Sequence, residues 1–241
     1  MTSYCSEAWR CAEEPVLMGV NNMIANNWEA IVSTISAIGT AAAAIFAAVA
    51  VFQARKQLEA NNKQSLFGMR VERWIKASGL LGLFDANKGI VKVGNKPVFA
   101  VDMYFAFLTN NSWLEETAAA LKTPLEGEGH KVLLTKIESI RCLSMEVGYL
   151  FEGDAAIVLS SFVSSYAELL HTLYRYQILL GHMREAGDRL GAGWEEASAN
   201  VGEPSYRDEL SSAIEDATKA YDAFVAAGGR EAIEAQIKLH Q

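Results

Sequence analysis

A chain of 241 residues with net charge −8 is long enough for one sizeable folded domain. It is too acidic for a broad nucleic-acid surface, which needs a basic patch. From Glu185 onward, twelve acidic residues face five basic ones, so most of the excess lies late. Only four prolines (15, 97, 124 and 204) and abundant Ala, Leu and Glu favour an all-α fold.

Residues 1–28 read as a short tail with one basic residue, Arg10, against Glu7, Glu13 and Glu14. Cys5 and Cys11 lie in it. In an oxidising compartment they can pair with each other or with another subunit, or stay as free thiols. Ala30–Phe52 then runs 23 residues without a charge. As helix, that run measures roughly 35 Å, enough to cross a ~30 Å hydrocarbon core. Arg55, Lys56, Lys63, Arg70, Arg73 and Lys76 follow it. The basic side belongs in the cytoplasm, which puts the tail outside and Trp28 in the outer interfacial belt. A signal peptide would need a basic leader and a shorter apolar core. The other competitor is a buried soluble helix, because Ala barely prefers lipid to water.

Within the run, fourteen residues are Ala, Gly, Ser or Thr. Ile31, Ile35, Ile38, Ala42, Ile45, Val49 and Phe52 alternate in three- and four-residue steps, a heptad seam. Another face carries Ser33, Ser36, Thr40, Ala43 and Ala47, with Gly39 and Ala43 as a small-xxx-small pair. Small residues let helices approach closely in lipid, so self-association is expected, with the Ser33, Ser36 and Thr40 stripe as a candidate pore lining. The alternative is a lone anchor with an Ala-rich sequence.

Residues 54–86 form a juxtamembrane helical region. Leu58, Leu66, Met69, Trp74 and Ile75 give it an intermittent apolar stripe, and Gly68, Gly79 and Gly82 mark expected breaks. Residues 87–97 read as a turn, with or without a short two-stranded ribbon, and Pro97 opens a helix over PVFAVDMYFAFLT. Ser112 with Glu115 predicts a capping box for WLEETAAALK, and PLEGEGH is a loop. Two long helices follow, at 131–151 and 155–190, parted by Gly153–Asp154. Cys142 in the first is expected to be a buried small hydrophobe. The second is the most apolar segment after residue 53. Glu168, His171 and Arg175 interrupt it, so it is the centre of the bundle rather than another span. Residues 191–206 read as the clearest loop, and a last amphipathic helix stops at Gly228–Gly229, before a short helical tail. The organisation is therefore a tail (1–28), a transmembrane helix (29–53), a juxtamembrane region (54–86) and a cytosolic helical bundle (87–241).

The four histidines show no metal-ligand spacing with Cys, and phosphate-loop, dinucleotide and nucleophile-elbow motifs are missing. No cofactor is expected. His171, Arg175, Ile178 and His182 share one helix face. Arg175 and His182 lie six residues apart, which resembles the Arg-x4–6-His signature of HEPN ribonuclease domains, themselves helical bundles. The resemblance implies two subunits face to face, with His182 as acid or base on an RNA backbone and Arg175 holding phosphate. Tyr176 departs from the polar residue that often follows the family's Arg. The plainer alternative is that Arg175 pairs with Glu168 or Asp188 while the histidines pack in the bundle.

The span, its polar exit FQARKQLEANNKQSLF and the aromatic helix YAELLHTLYRYQILLGHM are similar in layout to bacterial single-span membrane proteins of antiphage defence. These include abortive-infection types and the HEPN-like membrane accessory proteins of RNA-targeting CRISPR systems. The resemblance implies an inner-membrane protein that oligomerises and perturbs the bilayer without catalysis. Its partners would be lipid, its own copies and a cytosolic protein trigger, and not nucleic acid. A membrane-tethered HEPN-type ribonuclease and a passive anchor that recruits a cytosolic partner are the rival expectations.

Overall fold

The structure, a computed structural model, describes residues 10–91, 111–122, 128–191 and 193–238 and isolated positions between 93 and 108. The side chains of residues 10–26, 119–122 and 190 lie outside that description. Among the described residues seven helices follow in order: α1 (Arg10–Asn87), α2 (Ser112–Lys122), α3 (Gly129–Leu150), α4 (Asp154–Leu190), α5 (Trp194–Val201), α6 (Glu203–Ala226) and α7 (Gly229–Ile237). Among the described residues there is no strand. This is the expected all-α architecture, an apolar N-terminal helix followed by a helical bundle. The chain divides into two compact units, residues 1–63 and 64–241.

In the first unit, α1 runs unbroken from Arg10. From Asn27 to Asn62 every side chain is exposed except Ala42, which is half-buried. Cys5 and the pairing state of Cys11 lie outside the described residues, as does Pro97.

The second unit has a continuous apolar core. It begins with the last part of α1, where Trp74, Ala77, Leu80, Leu81, Leu83 and Phe84 are buried. Gly68, Gly79 and Gly82 do not break α1, contrary to their helix propensity. Each glycine costs about 1 kcal/mol relative to Ala. Burial of six side chains on the same stretch outweighs that, at about 1.5–3 kcal/mol for each large one. Gly79 has a packing reason as well, since a Cβ there would sit 3.2 Å from Asn111 Nδ2.

Helix α4 is central, packing on α6, α3, α5 and α7, while α2 covers α3. Its inner face, with Leu159, Phe162, Val163, Tyr166, Leu169, Leu170 and Leu173, is buried. Phe84, Phe107, Phe162, Tyr166 and Tyr221 form an aromatic centre, with ring centroids 5.6–6.3 Å apart and mostly edge-on or tilted. That geometry places ring edges against ring faces. The buried Tyr166 hydroxyl donates to the Phe107 carbonyl at 2.6 Å, so no polar atom of that ring is stranded.

Three further expectations are corrected. The cap of α2 is Asn111, whose Oδ1 accepts the Trp113 N–H at 3.0 Å. An Asn one residue upstream caps as well as Ser112 would, and places its oxygen on the second helical N–H. Cys142 is exposed, on the outer side of α3. The apolar stretch around it hid the fact that Leu143 and Val147, not Cys142, take the core-facing positions. Residues 194–201 are helical, not loop: Ala197 is buried, and glycines at 193 and 202 bound the two turns. Their polar composition masked a helix with one small buried contact.

Candidate functional site

Two regions could carry function: the exposed apolar stretch of α1 and the bundle. Ile31, Val32, Ile35, Ile38, Ile45, Phe46, Val49, Val51 and Phe52 are each 47–75% exposed, and Trp28 is 67% exposed. The most apolar 18-residue window of this helix is 0% buried, whereas the corresponding window of α4 is 56% buried. The contrast separates the two long apolar helices. α4 covers its apolar face with its own bundle, and the α1 stretch has no cover among the described residues. Nine bulky side chains left in water forfeit on the order of 10 kcal/mol of transfer free energy.

All six candidate interface residues of this stretch, Ser33, Ser36, Gly39, Thr40, Ala43 and Ala47, are exposed. The Thr40 hydroxyl donates to the Ser36 carbonyl at 2.9 Å, and Thr34 donates to Ala30 at 2.8 Å. Back-bonding of this kind satisfies the hydroxyl proton inside the helix and leaves only acceptor capacity outward. A helix carrying these hydroxyls therefore enters an apolar medium at lower cost than the residue types suggest.

In the bundle, Arg175 and His182 sit on one face of α4, but Arg175 is already engaged. Its Nη1 lies 2.9 Å from Glu209 Oε2 on α6, and its guanidinium lies over the Tyr206 ring at 5.3 Å. Its partner is neither Glu168 nor Asp188. Glu168 instead holds Arg141 of α3 at 3.1 Å and His171 at 3.7 Å. His182 is exposed.

Sequence reasoning missed a buried polar cluster around Glu203, whose side chain is 0% exposed. The Tyr176 hydroxyl donates to Glu203 Oε1 at 2.6 Å and accepts the Val98 N–H at 3.1 Å. Ser198 Oγ donates to Glu203 Oε2 at 2.8 Å, and Arg207 Nε lies 3.7 Å from Oε1. Burial, and then the bond to the carboxylate, push the Tyr176 hydroxyl well above its ordinary range. The cluster ties α4, α5 and α6 together at Gly202, which caps α5 with φ +69°. An acid at a helix start was visible in Gly-Glu-Pro. That the acid points inward was not. With both carboxylate oxygens occupied and Glu203 and Tyr176 buried, the cluster is a clamp that ties the helices together.

The surface holds shallow clefts. One of about 300 Å³ is lined by Arg73, Lys76, Trp113, Cys142 and Glu146. Arg73 is held there by Glu146, with Nη2 at 3.2 Å, and Lys76 by Glu72 at 2.8 Å. Lys76 and then Arg73 hold the Glu72 carboxyl below its usual range. A second cleft, of about 270 Å³, contains Asp85, Tyr221 and Arg230. Burial, and then Asp85, push the Tyr221 phenol up to about 12. Among the described residues no group of three His, Cys, Asp or Glu is placed to hold a metal ion. No family model, no curated protein and no solved structure matches the chain.

Proposed function

We propose that the chain is a single-span protein of the bacterial inner membrane, with its N-terminus outside and its bundle in the cytoplasm. It acts as an oligomeric membrane-perturbing effector or accessory protein, and the layout resemblance points to antiphage defence as the setting. The observation that carries the reading is the uncovered apolar stretch of α1, long enough to span and 0% buried across its most apolar window. Lipid is the medium that removes this surface from water without a protein partner. The basic residues after Phe52 support the orientation through the positive-inside rule. The size-segregated faces of the span support assembly, since a lone anchor needs no small-residue face. Arg175's engagement with Glu209 favours non-enzymatic action over the ribonuclease alternative.

The test is a pair of measurements on cells expressing the full chain. Fractionation without detergent reads the anchor, and a voltage-sensitive dye reads the membrane effect. The expected result is a chain that pellets with membranes and depolarises cells when triggered. Exchanging residues 30–52 for poly-Leu should keep the pellet and abolish depolarisation. A chain found in the supernatant overturns the anchor. Retained activity with poly-Leu overturns assembly through the span and leaves the passive-anchor reading.

A further inference from the structure

The outer face of the α3–α4 hairpin is self-complementary, and we infer that it binds a second copy of this chain about a twofold axis parallel to the two helices. The helices run antiparallel. Their register is set by Ser144, whose hydroxyl lies 3.1 Å from that of Ser160 and donates to the Ser160 carbonyl at 2.8 Å. A Cβ on Gly148 would lie 3.7 Å from Ser160 Oγ, so the pair is also close-packed there. This register places residues of the two helices level with each other along the face. Tyr149 is level with Ile157, Met145 with Ser161 and Arg141 near Glu168, with Ser164 between Ser161 and Glu168 on α4.

All seven of these residues are exposed, Tyr149 by 88% and Ile157 by 67%. The α3 edge of the face is bulky and the α4 edge carries two serines. The ion pair at its far end has Arg141 on α3 and Glu168 on α4, 3.1 Å apart and about half-exposed.

A twofold axis along the helices puts α3 against α4 of the partner at the same level. Large then meets small, with Met145 against the serine at 161. Apolar meets apolar, with Tyr149 against the isoleucine at 157. Charge meets opposite charge, with Arg141 against the glutamate at 168. An isologous contact requires this kind of self-matching patch, and charge complementarity across it fixes register and partner choice. An axis in this direction brings both chains into the pair from the same end. The pairing rests on this face of the bundle alone and stands apart from the membrane reading.

The test uses full-length chain in native membranes with Cys5→Ser, Cys11→Ser and Cys142→Ser, and with Ser164→Cys as the single thiol. A short bismaleimide is added, and covalent dimer is measured. Dimer should form through the thiol at 164 and fall roughly tenfold with Ser161→Arg, which places a large charge against Met145 of the partner. Arg141→Glu alone and Glu168→Arg alone should each lower the yield, because each creates like charges across the axis. Co-expression of these two variants should restore it, since the heterodimer has opposite charges again. No cross-link, or a yield unchanged by Ser161→Arg, overturns the pairing, and so does failed restoration in the mixture. A soluble chain that still cross-links would sink the membrane reading alone. A pelleted chain that does not cross-link would sink the pairing alone.

Discussion

Replacing Tyr176 with Phe removes one oxygen atom and should destabilise the bundle by about 3–4 kcal/mol, an unusually large effect for one buried hydroxyl. The hydroxyl joins two groups from distant parts of the chain, the Val98 N–H at 3.1 Å and Glu203 Oε1 at 2.6 Å. Its bond to the carboxylate is charge-assisted and is worth about 1.5–3 kcal/mol. Its loss also leaves a buried backbone N–H without an acceptor, at about 1–3 kcal/mol. Some overlap between the two losses is expected, since Arg207, 3.7 Å from the same oxygen, can move toward the vacated carboxylate. Tyr166→Phe is the internal control. That ring is as deeply buried, yet its hydroxyl makes a single bond, to the neutral Phe107 carbonyl. It should cost about 1–2 kcal/mol, roughly half as much. Denaturant titration of the purified full-length chain in detergent, followed by circular dichroism, measures both. Ser198→Ala in the Tyr176→Phe background tests coupling, because both hydroxyls serve one carboxylate. Equal losses for the two tyrosines, or strict additivity with Ser198→Ala, would refute the view that Glu203 organises a shared clamp.

Gly229→Ala should destabilise by about 1–3 kcal/mol through overpacking, because its Cβ would overlap the Phe224 ring. Phe224→Leu should recover part of that loss in a thermal melt. Stability should also decline at high pH: Tyr221 titrates at 10.0 when unfolded and near 12 when folded, so its contribution is complete below 10 and lost as pH rises toward 12. Tyr221→Phe should flatten that part of the pH profile. Ile38→Arg, at the middle of the apolar stretch, should raise the insertion free energy by about 3 kcal/mol. Detergent-free fractionation should then find a larger share of the chain outside the membrane pellet.

Local patterns carried much of the architecture. The charge-free run at 30–52 is one-dimensional information, since hydropathy and length do not depend on what lies nearby. The same holds for the helix stops at Gly153 and Gly228 and for the Glu168, His171 and Arg175 interruptions that marked α4 as a bundle helix. Tertiary structure decided the rest, because burial is a property of pairs of elements. Gly79 and Gly82 would end an isolated helix, but packing of Leu80, Leu81 and Phe84 carries α1 through them. Cys142 stands one residue from the buried Leu143, and only the position of α4 determined which of the two faces inward. Arg175 found Glu209 on a helix more than thirty residues away, beyond the reach of spacing rules along α4. Glu203 reads as a solvated acid at a helix start until Tyr176, Ser198 and Arg207 surround it. A carboxylate can be buried only where such partners converge, and that convergence exists only in the folded chain.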